Sequence, residues 1–211
     1  MKRAERNPVK SRQQIIEKAA PVFNIHGFAG ASMQMIIEAT GYQKGGIYRH
    51  FESKKHLAQA VFQYNFSQLK QAYMDGVAET SKARDKLLKL LNNFLQAIAN
   101  PAVKGGCPML NLATEVDDTD ADMRLMVSDA LTELSMTLAE IMQKGIGNGE
   151  FKEGIVPQKE ANFMIALLEG SIMMAKVQGK RRIILGNCEQ LLNYLNHFVF
   201  KEPYYIKTQS L

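Results

Sequence analysis

Apolar positions recur every three to four residues along almost the whole chain, and no run alternates as a strand would. Ile15, Ile16, Ala19, Ala20 and Phe23 form the apolar stripe of a first helix that ends near Gly27. Ser32 is placed to cap a short second helix bearing Met33, Ile36 and Ile37, and Gly41 closes it. A third short helix covers about residues 43–49. Ser53 caps a long fourth helix with Leu57, Val61, Phe62 and Leu69 on its buried side. Ser81 opens a fifth, with Leu87, Leu91, Phe94 and Ile98 in its stripe, and Pro101 ends it. Pro108 starts a sixth helix through Glu115. Thr119, with Asp122 in a capping-box arrangement, opens a seventh that runs to the Gly145/Gly147/Gly149 loop. Pro157 opens an apolar eighth reaching about Gln178, and residues 183–198 make the last. The pattern predicts an all-α chain of about nine helices, with short connections and no internal repeat.

Composition narrows the class. The chain has 211 residues, 46% apolar and 22% charged, which is globular rather than disordered and long enough for a sizeable core. Two distant cysteines, Cys107 and Cys188, predict thiols in a reducing compartment instead of a disulfide scaffold. The longest charge-free stretch, Ala19 to Ile37, carries Pro21, Asn24, His26, Gly27 and Gly30, so no membrane span is expected. The charged start, Met1 to Pro8, has no apolar run after it and predicts no secretory signal. These features imply a soluble, cytoplasmic protein without a membrane partner.

Charge becomes informative once it is located. The net +5 is uneven. Residues 1–56 hold ten Lys/Arg against four acids, and residues 57–211 hold 16 against 17. The excess of +6 in the first quarter predicts a polyanion-binding domain, 1–56, joined to a nearly neutral body, 57–211. A basic tail without a binding role is the bland alternative.

The stretch from Ser32 to Phe51 carries the chemistry. Two short helices flank Ala39-Thr40-Gly41-Tyr42 with the spacing of a helix-turn-helix, and Ile47 falls on the second helix's core face. That second helix, Lys44-Gly45-Gly46-Ile47-Tyr48-Arg49, is poor by propensity, since two glycines cost about 2 kcal/mol relative to alanine. A gap in side-chain bulk fits a backbone that must approach another surface closely. Its first amides favour phosphate, Lys44 and Arg49 add charge, and the Tyr48 hydroxyl can donate to a phosphate oxygen.

From about Ser11 to Val61 the chain resembles the DNA-binding domain of the TetR/AcrR family of regulators. Phe23, Gly27-Phe28, Ser32, Gly41, Lys44-Gly45-Gly46-Ile47-Tyr48, His50-Phe51 and Ser53-Lys54 carry the resemblance. Carried over by position, it implies phosphate contacts from Ser32, Tyr48, His50 and Lys54. It places Gln43, Lys44 and Gly46 at or beside base edges. The later helices match the family's variable ligand and dimer domain in number and length. The resemblance thus implies a homodimer on a pseudo-palindromic double-stranded DNA operator, with a small-molecule effector. Pro21 and Ile37 depart from the family pattern and imply adjusted packing of the first helices.

The body offers candidates for an input. Most of the 12 methionines lie there, among them Met109, Met123, Met126, Met136, Met142, Met164, Met173 and Met174. They suit either an adaptable apolar pocket or plain core. Cys107, at the start of the sixth helix, has a thiolate favoured by the helix dipole, and Lys176 would favour it further if the two face each other. The Gly106-Cys107 step resembles a family subgroup, some of whose members respond to electrophiles or oxidants. The alternative is an inert Cys107 and a Lys176 that snorkels to solvent. Cys188, among Leu185, Leu191 and Leu192, reads as structural.

Other chemistry is weak. The acids from Glu115 to Asp122 read as a solvated loop that favours the next helix start. His26, His50, His56 and His197 have no ligand spacing, so no metal is expected. No phosphate loop, dinucleotide fingerprint or catalytic triad appears, and neither enzyme activity nor a cofactor is expected. The expected function is a ligand- or electrophile-released repressor. The alternative is a helical small-molecule-binding or redox-switch protein that no longer regulates transcription.

Overall fold

The computed structural model describes residues 8–204. Among them are nine α-helices: α1 (Pro8–Gly30), α2 (Met33–Thr40), α3 (Lys44–Tyr48), α4 (Lys54–Met74), α5 (Ala83–Ala99), α6 (Pro108–Val116), α7 (Ala121–Gly147), α8 (Pro157–Gln178) and α9 (Arg182–Tyr194). A π-helical turn, Leu195–Val199, continues α9. The described residues form no strand beyond an isolated bridge between Phe151 and Phe200. No helix among them is long and apolar enough to cross a membrane.

Packing divides the chain along different lines from charge. One compact unit joins the residues up to Gln71 to Asn100–Ala130, and the other joins Ala72–Ala99 to the residues from Leu131 onward. The division cuts α4 and α7, so each unit is built from segments distant in sequence.

In the first unit, α1 packs on α2 and on α6. Its core holds the expected stripe of Ile15, Ile16, Ala19, Ala20 and Phe23, with Ile36, Ile47, Phe51, Leu57 and Val61 beside it. The backbone leaves helical geometry at Gly27 (φ 75, ψ 172), six residues beyond Pro21. Loop 104–106 is fastened by two asparagines. Asn24 donates to the carbonyls of Lys104 (2.9 Å) and Gly106 (3.0 Å), and Asn111 donates to those of Asn24 and Gly105 (both 2.9 Å).

The acidic loop does more than the pattern predicted. Asp120, not Thr119, caps α7 by accepting from the Met123 amide at 3.1 Å. The Thr119 hydroxyl instead donates back to the Glu115 carbonyl. Lys55 reaches Asp120 at 2.9 Å and Asp122 at 2.8 Å, a link between α4 and the start of α7. The Asp120 carboxyl is held below its ordinary range, chiefly by the Lys55 hydrogen bond and then by the Met123 amide.

In the second unit, α8 packs on α9. The Glu150 carboxylate accepts from the Ala83 and Arg84 amides, both at 3.1 Å, and so caps α5, a role the pattern gave to Ser81. Phe151 and Phe200 are fully buried, with ring centroids 5.5 Å apart. The Phe151 ring fills the space that a side chain at Gly145 would need.

Candidate nucleic-acid interface

Local chemistry builds the helix-turn-helix inside the first unit. The Ser32 hydroxyl accepts from the Met35 amide at 3.2 Å and caps α2. Gly41 ends it in the left-handed conformation (φ 73), its amide donating to the Ile37 carbonyl at 2.8 Å. Few residues other than glycine adopt that conformation without strain. The Thr40 hydroxyl accepts from the Tyr42 amide at 3.2 Å, which shapes the turn. Tyr42 then anchors it to α1 by donating its hydroxyl to Gln14 at 3.0 Å, while Lys18 donates to the Thr40 carbonyl at 3.2 Å.

One side of α3 is buried. Ile47 is 1% exposed, and Phe51 just beyond it is equally sequestered beneath the Arg12 guanidinium, 4.9 Å from the ring centroid. The other side presents Gln43, Lys44, Gly45, Tyr48 and Arg49 to solvent, with Ser32 also exposed. Gln43 precedes α3 without using its side chain as a cap. Lys44 lies over the Tyr48 ring, 6.0 Å from its centroid. A Cβ on Gly45 would meet no atom within 4 Å, whereas one on Gly46 would touch the Tyr42 ring at 3.6 Å. The two glycines therefore differ: Gly45 opens the outer surface, and Gly46 lets α3 lie against Tyr42.

His50 and Lys54 are half-buried at the border of this face. Lys54 donates to the Ala29 carbonyl at 3.4 Å and lies 5.0 Å from the Phe28 ring centroid. Sequence reasoning named these cationic and polar residues but missed what fixes their scaffold. The carboxylate of Glu115, on α6, accepts from the amides of Phe28 (3.1 Å) and Ala29 (3.0 Å). These partners are 86 and 87 residues apart, so no local spacing announces them.

The sensor candidates fall in different units. Cys107, in the first, is 3% exposed at the start of α6, and its side chain makes no capping hydrogen bond. Lys176, in the second, is exposed on α8. Cys188 is 4% exposed, and burial, aided by the Glu189 charge, pushes its thiol up to about 11. The two cysteines are not joined in a disulfide.

The named methionines divide between roles. Met109, Met123, Met142 and Met164 are buried, whereas Met136, Met173 and Met174 are exposed. Met164, together with Met74, lines a cavity within the second unit. No group of three or more His, Cys, Asp or Glu side chains suited to a metal ion occurs among the described residues.

Comparison with known proteins agrees with this geometry. Residues 15–61 match the family described as bacterial regulatory proteins, tetR family, and residues 83–189 match the tetracyclin repressor-like C-terminal domain. The HTH-type transcriptional repressor DhaR of Mycobacterium sp. (strain GP1) is 27% identical over 176 residues, 83% of this chain and 86% of that protein. A TetR transcriptional regulator from Chloroflexus aurantiacus J-10-FL superposes with a TM-score of 0.87 at 33% identity, covering 92% of this chain and 98% of that one. A TetR-family regulator from Cytophaga hutchinsonii gives 0.80 at 35%, covering 87% and 92%. With the helix-turn-helix intact, its outer face exposed and both halves matched, the chain belongs to the TetR family of transcriptional regulators.

Proposed function

We propose that the protein is a homodimeric repressor that binds a pseudo-palindromic operator and leaves it when an effector occupies or modifies the body. The exposed face of Gln43, Lys44, Gly45, Tyr48 and Arg49 on a helix-turn-helix carries this reading. Each subunit places α3 in a major groove, and Lys44, Arg49, Tyr48, Ser32, His50 and Lys54 meet phosphates while Gln43, Lys44 and Gly46 face or adjoin base edges. Dimerisation is supported by the apolar side chains that α8, α9 and the final turn leave exposed, including Phe163, Met173, Val177, Leu185 and Phe198.

Two inputs fit the body. The second-unit cavity, formed by α4, α5, α7 and α8, takes a small, mainly apolar molecule. Cys107 offers a covalent route to electrophiles or oxidants. Its burial restricts that route to small reagents or to moments when the 104–106 loop opens. In either case the effector favours a dimer whose two recognition helices no longer fit successive grooves.

The test selects operators from random DNA and measures binding against salt. A two-fold site is expected, with affinity falling steeply as salt rises because phosphate contacts release counterions. Lys44→Ala and Arg49→Ala should each weaken binding and reduce the salt slope by about 1, with the dimer intact by sedimentation. Unaltered operator binding in both variants would count against the docking geometry. Cys107→Ser that still releases DNA on treatment with aldehydes, quinones or hypochlorite would remove the covalent route.

A further inference from the structure

Asn65 sits where the helical pattern calls for an apolar residue. On α4 it follows Ala58, Val61 and Phe62 at helical spacing, so the four share one face, and it is only 4% exposed. Its side-chain oxygen, Oδ1, accepts no hydrogen bond from the protein. Buried polar atoms are nearly always paired, so this one calls for a donor. Asn65 lines a cavity built wholly from the first unit. Phe23 and Phe28 from α1, Val61 and Phe62 from α4, Leu112 from α6 and Met123 from the start of α7 supply its apolar wall. With its open mouth it encloses about 340 Å³ free of protein atoms, at the small end of ligand sites.

The other polar side chains on the wall are Asn24, Asn111 and Glu115, and all three are engaged. Asn24 donates to the Lys104 and Gly106 carbonyls and accepts from Asn111 at 3.0 Å, while Asn111 also donates to the Gly105 carbonyl. The two carboxylate oxygens of Glu115 each accept a backbone amide. The wall's other side-chain amides are thus committed to loop 104–106 and to each other, and neither donates to Asn65.

We infer that this cavity binds a small uncharged alcohol, whose hydroxyl donates to Asn65 Oδ1 and whose hydrocarbon part lies against the phenylalanine rings. An ether or alkane of equal size leaves the buried oxygen unpaired. A cation loses its hydration against a wall whose one carboxylate already accepts two amides. A water needs two to four polar partners, more than these engaged groups leave open, whereas an alcohol satisfies Asn65 and fills the apolar remainder. Part of the wall comes from α1, which packs on α2 of the helix-turn-helix. The guest therefore lies within the DNA-binding unit, at a site separate from the second-unit cavity.

The experiment titrates the full-length protein, methyl-labelled at methionine, with butan-1-ol and separately with diethyl ether, followed by NMR. The two guests are isomers, and only the alcohol carries a donor. Met123 reports this cavity and Met164 the second-unit one, with the exposed Met136 and Met174 as controls. Loss of a signal in Met123→Leu assigns the reporter. Butan-1-ol should shift the Met123 methyl saturably, leave the controls in place and bind at least tenfold more tightly than the ether. In Asn65→Leu, which keeps the approximate shape, that preference should fall to within threefold while ether binding stays within threefold of wild type. Equal binding of the isomers to wild type overturns the assignment whether or not the variant folds. A preference that survives Asn65→Leu overturns it too. A Met123 methyl that neither guest moves means that the cavity takes no alcohol.

Discussion

Glu115 occupies the space in which a side chain on Gly27 would lie. A Cβ built on Gly27 would overlap the Glu115 carboxylate, and that carboxylate accepts from the two amides that follow the glycine. Gly27 also has a backbone conformation, φ 75 and ψ 172, that is essentially reserved for glycine. Backbone freedom and close approach therefore coincide at one residue, where α6 grips the end of α1.

Gly27→Ala should lower stability by about 2 kcal/mol or more, because conformational strain alone costs about 1 to 3 kcal/mol and the overlap adds to it. Urea denaturation of Gly27→Ala, Glu115→Ala and the double variant separates the two terms. The double variant should be less unstable than the sum of the singles, since removing the carboxylate removes the overlap but not the strain. Simple additivity would show that the close approach has no energetic weight.

Gly45 should respond in the opposite direction. It lies in α3, where an added methyl would meet no atom within 4 Å, so alanine there fits the fold. Gly45→Ala should raise stability by up to about 1 kcal/mol through helix propensity. It should also weaken operator binding, because the added methyl stands on the exposed face proposed to meet DNA. A thermal melt and a fluorescence-anisotropy titration check the two halves. Unchanged operator affinity would mean that the backbone at this position does not approach DNA closely.

These two glycines show where the sequence was legible and where it was not. Local rules placed Gly41 at the end of α2, Ser32 at its start and Ile47 in the core, since each acts within a turn of its own position. The stripe in α1 was equally plain. The partners of Gly27, Lys55 and α5 were not, because Glu115, Asp120 and Glu150 lie more than sixty residues away from them. A run of acids reads as a solvated loop until the fold brings Lys55 to it. The second-unit cavity was hidden for the same reason: helical periodicity says which face of α8 is apolar, but not that Glu169 shares a wall with Tyr73 and Phe94.

Cys188 predicts an alkaline limit to stability. Burial, with the Glu189 charge adding to it, raises its thiol from 9.0 to about 11. A pKa raised in the folded state means that the contribution is complete below pH 9 and is lost as pH rises toward 11. Unfolding midpoints should fall over that window, with a loss on the order of 2 kcal/mol, and Cys188→Ala should flatten the decline. At pH 8 the native thiol should also resist iodoacetamide. Rapid alkylation of Cys188 in the folded protein, identified by peptide mapping, would contradict its burial.

Glu150 sets the corresponding acid limit. Burial pushes its carboxyl upward, yet hydrogen bonds from the Arg84 and Ala83 amides, helped by Asn148 and Lys82, outweigh that effect and hold it below its ordinary value. The folded state therefore binds this proton less tightly than the unfolded chain does. Its stabilising contribution is present above the unfolded value of 4.5 and is lost as pH falls through the lower folded value. Glu150→Gln keeps the shape but replaces a charged acceptor with a neutral one, so it should cost about 1 to 2 kcal/mol at pH 7. Below pH 4 the difference between the variant and wild type should shrink, because the wild-type carboxyl is then becoming neutral as well. A gap of constant size from pH 7 to pH 3 would mean that the ionised carboxylate is not what holds the first turn of α5.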